Sequence, residues 1–316
     1  MNAMIEQFVQ TLAAGLTAGS LYGLTCVGLA MIFGIMRVIN FAQGDFMMVG
    51  MYLAVWIAAR LGGVHVFGAA APFIAAILVA PVLFMAGSLL HRLLISRTTG
   101  LRAVGLSGEG HQAQLILTLG VALILQNGAL ILMGSSPVSI VSKLSSRAWE
   151  IPLLIDEDST LFLNQARTIS ALVSIGVAFL LFRLIRQTGI GKSLRAAADN
   201  PEAATYVGID VTRAHRIAFG LGAAIAGVAG ALMVLSTPAQ PFVGTDFIII
   251  MYAGVVLGGI GSITGAFWGG MVIGVVQQLS TLVLPLQLQN AMVFLVFVLI
   301  LLFRPQGLFG RTVERA

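Results

Sequence analysis

Two polar clusters interrupt an otherwise apolar chain, and each carries residue types that can do work. The first, Asn40-Phe41-Ala42-Gln43-Gly44-Asp45-Phe46, puts two amides and a carboxylate inside the first apolar hairpin. Hydrocarbon does not solvate such groups, so they turn toward protein or a water-filled path. A helix broken there must line a cavity or be buried. The plainer alternative is that Asn40 and Asp45 cap a short turn at the membrane interface beside Arg37. The second cluster runs from Gly191 to Gly208, between two long apolar runs. Inside it Asn200 can cap a short helix, Pro201 suits its first turn, Glu202-Ala203-Ala204 continues it, and Gly208 stops it. A small, capped helix on a connecting loop is a surface that can dock another protein.

Other chemistries find no support. Gly191-Lys192-Ser193 looks like the end of a phosphate-binding loop, but the glycine required five residues before Gly191 is Arg186. The segment also follows an apolar run and not a strand, so if ATP drives this protein, another subunit binds it. The four histidines, His65, His91, His111 and His215, are scattered, with no metal-ligand spacing. No serine sits in a G-x-S-x-G elbow, and Cys26 is alone. The sequence therefore predicts no catalytic residue, no cofactor and no metal. The net charge of +5 does not indicate nucleic acid, because the basic residues sit singly in short loops beside apolar runs.

The elements that position the two clusters must be membrane helices. Only 9% of the residues are charged and mean hydropathy is +1.00, whereas a soluble domain carries about 25% charge. With spans of about 20 residues, 316 residues hold an all-α bundle of about eight to ten transmembrane helices in a single domain over 1–316. Apolar windows fall near 8–35, 45–60, 67–90, 113–133, 168–184, 213–235, 246–259, 265–283 and 288–303. Windows 45–60 and 246–259 are short and read as broken or re-entrant helices.

Thirteen of the seventeen basic residues lie on one side if the spans alternate. They are Arg37, Arg92, Arg97, Arg102, Arg183, Arg186, Lys192, Arg195, Arg213, Arg216, Arg304, Arg311 and Arg315, and the positive-inside rule makes that side cytoplasmic. The loop 190–212 and the C-terminus are then cytoplasmic and the N-terminus is outside. The start, with Glu6 and no basic residue before Arg37, does not read as a cleaved signal peptide. Segment 134–166, with an acidic run Asp156-Glu157-Asp158, is the external loop, either a solvated connection or part of a docking face.

Gly244-Thr245-Asp246-Phe247 opens a later span with a signature related to Gly44-Asp45-Phe46, a hint of an internal repeat. Asn40, Gln43, Asp45 and Asp246 are the candidates for a translocation path. Gln126-Asn127 and Gln277-Gln278 read as interhelical hydrogen bonds worth about 1 kcal/mol each. Gly15, Gly19 and Gly23, and again Gly261, Gly265 and Gly269, form G-x-x-x-G stripes for close helix packing, within the subunit or between subunits. Gly258 to Gly261 reads as a tight turn.

Taken together, Gly19-Ser20-Leu21-Tyr22, Ile39 to Asp45, Arg195 to Gly208, Val256 to Ser262 and the ending Phe303-Arg304-Pro305-Gln306-Gly307-Leu308-Phe309-Gly310 resemble the Liv-type permease subunits of branched-chain amino acid ABC importers. The likeness covers nearly the whole chain and fits the shorter of that family's two permeases. It implies a bacterial inner-membrane protein that pairs with a second permease, as a heterodimer, in the lipid bilayer. It also implies two cytoplasmic ATPases and a periplasmic binding protein as partners. It places Arg195, Asp199, Asn200, Pro201, Glu202, Ala203, Ala204 and Gly208 at the ATPase contact. The Ile-x-Leu-Pro that follows this loop in many other importers is missing; Ile217-Ala218-Phe219-Gly220 stands there. Within the class, urea, short amides or other amino acids remain open as substrates; outside it, an autonomous channel or an ion-coupled carrier.

Overall fold

A computed structural model describes residues 2–60, 68–98, 109–152, 160–304 and 306–310. Arg102, Arg311, Arg315, His65 and the Asp156–Asp158 run lie outside the described residues. The elements in chain order are α1 (Asn2–Met36), α2 (Gln43–Arg60), α3 (Ala71–Leu90), α4 (Glu109–Met133), β1 (Ala148–Pro152), β2 (Thr160–Asn164) and α5 (Gln165–Gln187). They continue with the short α6 (Gly189–Asp199) and α7 (Pro201–Tyr206), then α8 (Val211–Met233), α9 (Val243–Gly258), α10 (Ile263–Ser280) and α11 (Gln289–Phe303). Each of the nine apolar windows coincides with a helix. α3 continues through a π-helical turn, His91–Ile95, and one last turn, Ser96–Thr98.

Among the described residues five helices are long and apolar enough to cross a membrane, and they divide sharply by burial. In α1 and α8, 83% of the most apolar window is inside the protein; in α3, α4 and α5 the share is 28%, 17% and 33%. The first two are the central poles of the bundle and the other three lie at its periphery. α8 can be central because residues 218–233 are mostly alanine and glycine, which lets neighbouring backbones close in. It packs on α3, α1 and α2.

Lipid is as apolar as leucine, so close packing and hydrogen bonds, not water exclusion, must hold the helices together. The α1 glycine stripe does this within the chain. A Cβ on Gly15 would sit 2.9 Å from the Cα of Val275, and one on Gly23 would sit 2.7 Å from the carbonyl oxygen of Phe267. Gly19 lies against Met271, so α1 and α10 run antiparallel. Gly265 and Gly269 serve the α9–α10 pair, facing Gly258 and Gly254. Gly261 is different: a Cβ on it would meet nothing, and with φ 88° it shapes the α9–α10 turn together with Gly259 at φ 103°. That turn is strapped by the C-terminal segment, through Leu308 N–H to Leu257 O (2.8 Å) and Phe309 N–H to Gly258 O (3.2 Å).

The 134–166 loop is not a plain connection. β1 and β2 pair antiparallel, Ala148 opposite Asn164 and Pro152 opposite Thr160. A lone hairpin is marginal in water, and this one is clamped from outside. At 35 residues, α1 is about 52 Å long and overshoots a hydrocarbon core of about 30 Å. Its overshooting first turns carry Gln10, whose amide donates to Phe162 O (2.6 Å) and accepts from Phe162 N–H (3.0 Å). Asn164 then caps α5 by accepting from Arg167 N–H, 3.1 Å away.

Candidate functional site

The first polar cluster forms a junction between two short helices. α1 ends at Met36, and the connection to α2 turns on Asn40, whose Oδ1 accepts from Ala42 N–H (3.1 Å). Its amide donates to Gln43 Oε1 (3.1 Å), and Gln43 donates in turn to Gly222 O of α8 (3.0 Å). Asn40 and Gln43 are fully buried and Asp45 is 2% exposed. α2 and α9 have 18 and 16 residues; α9 at about 24 Å is shorter than the hydrocarbon core.

These two helices meet at their N-termini. Gly44 and Gly244, each the second residue of its helix, touch backbone to backbone: a Cβ on Gly44 would overlap the carbonyl oxygen of Gly244. A Cβ on Gly244 would in turn sit 2.8 Å from an Asp45 carboxylate oxygen. Helix N-termini carry a partial positive charge, so bringing two together is unfavourable unless an anion lies between. Asp45 places its carboxyl group there. Gln126 of α4 locks the arrangement by donating to Asp45 Oδ1 (2.9 Å) and to Thr245 Oγ1 (3.3 Å). Two turns earlier, Thr118 accepts from Phe41 N–H (3.3 Å).

Asp246 is placed differently. It lies in the first turn of α9 but is exposed, as are Phe242, Thr245 and Ile249 on the same flank. Phe41 is 40% exposed at the rim, and its ring packs on Tyr252, with centroids 5.7 Å apart. The structure thus buries Asn40 and Gln43 in one hydrogen-bonded chain that ends on α8 and Asp45 in a second that runs through Gln126 to Thr245, and leaves Asp246 on an open face beside them. Thr118 and Thr245 were not singled out by sequence reasoning, although Thr118, Ala122 and Gln126 at i, i+4 and i+8 put two polar groups on one face of an apolar helix.

The second polar cluster is an elbow of two short helices capped at each joint. Thr188 Oγ1 accepts from Gly191 N–H (3.1 Å), Asn200 Oδ1 from Ala203 N–H (3.0 Å), and Asp210 Oδ1 from Arg213 N–H (2.9 Å). α6 buries Gly191, Leu194 and Ala197 at helical spacing and exposes Lys192, Arg195 and Asp199. The Arg195 guanidinium donates to Arg186 O (3.4 Å). α7 begins with Pro201, and only Ala204 of its residues is buried. Gly208 has φ 85°, a left-handed residue that ends the helix, while Ile209 N–H reaches back to Ala204 O (2.9 Å). The rest stands free: Glu202 and Ala203 are exposed, Tyr206 is 88% exposed and Val207 76%.

Apolar helices around a polar junction, with a capped elbow at one end, define an all-α multi-pass membrane protein. Residues 11–303 match the family described as branched-chain amino acid transport system / permease component, and the chain belongs to that family. It is 31% identical to the high-affinity branched-chain amino acid transport system permease protein LivH of Salmonella typhimurium, over 98% of both chains. LivH of Escherichia coli K12 is 29% identical, again over 98% of each. BraD of Pseudomonas aeruginosa, of the same description, is 30% identical over 97% of each. No solved structure matches the chain. As a family member it is the membrane component of an ABC transporter with further subunits.

Proposed function

We propose that the chain forms half of the translocation path of an ATP-driven importer for branched-chain amino acids, which a periplasmic binding protein delivers. The observation that carries this reading is the elbow. A six-residue helix, held by Asn200 and Gly208, that exposes Tyr206 and Val207 nearly completely is a docking knob for a cleft. The partner is an ATPase subunit, and the end of the bundle bearing the elbow and most basic residues is cytoplasmic, as is the C-terminus. Closure of two ATPases on ATP moves α7, and α8, which follows it directly through Asp210, carries the motion into the bundle. ATP biases transport because it binds the two conformations differently.

In this reading the α9 flank with Asp246 faces the path and a second permease. A carboxylate turned to hydrocarbon is costly, so the flank is wet or covered. Asn40, Gln43 and Asp45 act behind it, holding the two half-helices in contact. The clamped β1–β2 hairpin belongs to the external face where the binding protein lands. The substrate assignment leans on the names of the relatives.

The test is affinity purification in mild detergent with mass spectrometry of the retained subunits, followed by leucine uptake in reconstituted vesicles. Two ATPases and a second permease, with ATP-dependent leucine uptake lost on Glu202→Lys, is the expected result. Solute movement by the chain alone without ATP would leave a channel or carrier. Uptake of urea or an amide but not leucine would overturn the substrate assignment only.

A further inference from the structure

The end of the bundle that carries the elbow also holds a groove beside it. Two cavities of about 440 and 410 Å³ meet at the tip of the α9–α10 turn, sharing Ile260 and Gly261. Their floor is apolar, with Phe33 of α1, Phe182 and Ile185 of α5, and Ile260 and Ile263. Their rim is basic: Arg37, Arg186 and Arg195 line it, against the single carboxylate of Asp199. Among the described residues none of the three guanidinium groups is in an ion pair; Arg195 donates to a carbonyl and nothing else.

Arg37 adds an independent sign. It is the only non-glycine among the described residues with positive φ, 55°, in the position that closes α1 by donating to Phe33 O (2.8 Å). Glycine fits that helix-ending conformation without strain. A long, exposed cation is kept there instead, and backbone strain of this kind persists where it serves a site.

We infer that this groove holds an anionic phospholipid, its phosphate on Arg37 and Arg186 and an acyl chain along Phe33, Phe182 and Ile185. Guanidinium groups match phosphate geometry with paired N–H donors. The depth fits as well, because α1, α5 and α9 end there and α10 starts there, where headgroups lie. Basic pockets between spans on the cytoplasmic side are suited to such headgroups. A free phosphate would share the arginines but leave the apolar floor uncovered. The inference rests on the proposed cytoplasmic orientation of this end, but its test does not depend on transport.

The full complex is placed in nanodiscs of mixed phosphatidylcholine and phosphatidylglycerol, released, and weighed by native mass spectrometry. The wild type should retain phosphatidylglycerol. The double variant Arg37→Gln/Arg186→Gln should retain about thirtyfold less, from roughly one surface-charge contribution per arginine removed. Arg37→Lys/Arg186→Lys keeps the charge and should lose far less, which separates binding from folding. Equal retention by wild type and the Gln variant overturns the inference. So does displacement of the lipid by added inorganic phosphate alone, which would make this a phosphate site. Loss of the ATPases from the Gln variant with lipid retention unchanged would show that an acidic protein segment fills the groove, and would overturn it too.

Discussion

The first turns of α2 and α9 carry related residues, Gly44-Asp45-Phe46 and Gly244-Thr245-Asp246-Phe247, and the two glycines share one backbone contact. Their aspartates nevertheless part. Asp45 is buried between two helix ends with Gln126 on its oxygen, and Asp246 is exposed. Part of the cause is register: one extra residue after the glycine turns a helical side chain by about 100°. The rest is enclosure. α2 is packed by α8, α9, α3 and α4, so every residue from Gln43 to Met48 is buried, whereas α9 leaves the Phe242–Ile249 flank open. A shared motif therefore supplies a structural anion in one place and an accessible one in the other.

The strongest way to break this pairing is to separate the glycines. Gly44→Leu should prevent assembly of the bundle, since even a Cβ there overlaps the Gly244 carbonyl. Fluorescence-detected size exclusion would show aggregate in place of a monodisperse peak, and an intact peak would refute the contact. Next in size, Gln126→Leu strips Asp45 of its donor and should cost about 1–3 kcal/mol, read as a lowered melting temperature in detergent. Gln126→Glu should be worse than Leu if Asp45 is ionised, because two carboxylates would then face each other.

Asp246→Asn sharpens the comparison from the other side. An exposed site of this kind should change stability by no more than about 0.5 kcal/mol, while leucine uptake falls several-fold. A melting shift as large as that of Gln126→Leu would mean that Asp246 is a second structural anion. The most local effect on stability belongs to the elbow. Asn200→Ala removes the bond to Ala203 N–H, a loss of about 1 kcal/mol local to α7. Expression and melting should hold while uptake per ATP hydrolysed drops, measured in proteoliposomes.

Much of this was legible before any coordinates. The nine helices that fill the apolar windows follow from runs of apolar residues, because a bilayer favours long apolar stretches and tolerates few charges. The elbow was legible residue by residue, since Asn200, Pro201 and Gly208 act through their own backbones and caps are local. The G-x-x-x-G stripes announced close packing but not its object, and Gly261, which fits the spacing, serves a turn instead. The β1–β2 hairpin was not legible, because its clamp is Gln10, 152 residues away along the chain.

What the sequence determined by itself is what short-range physics sets: apolar length, positive charge beside spans, and caps that bond within three or four residues. Only the tertiary structure decided which of two similar aspartates is enclosed, which helix each glycine faces, and that Gln126 bridges the two half-helices. Those outcomes depend on neighbours far along the chain, and a residue's environment is the sum of what packs around it, which no local pattern encodes.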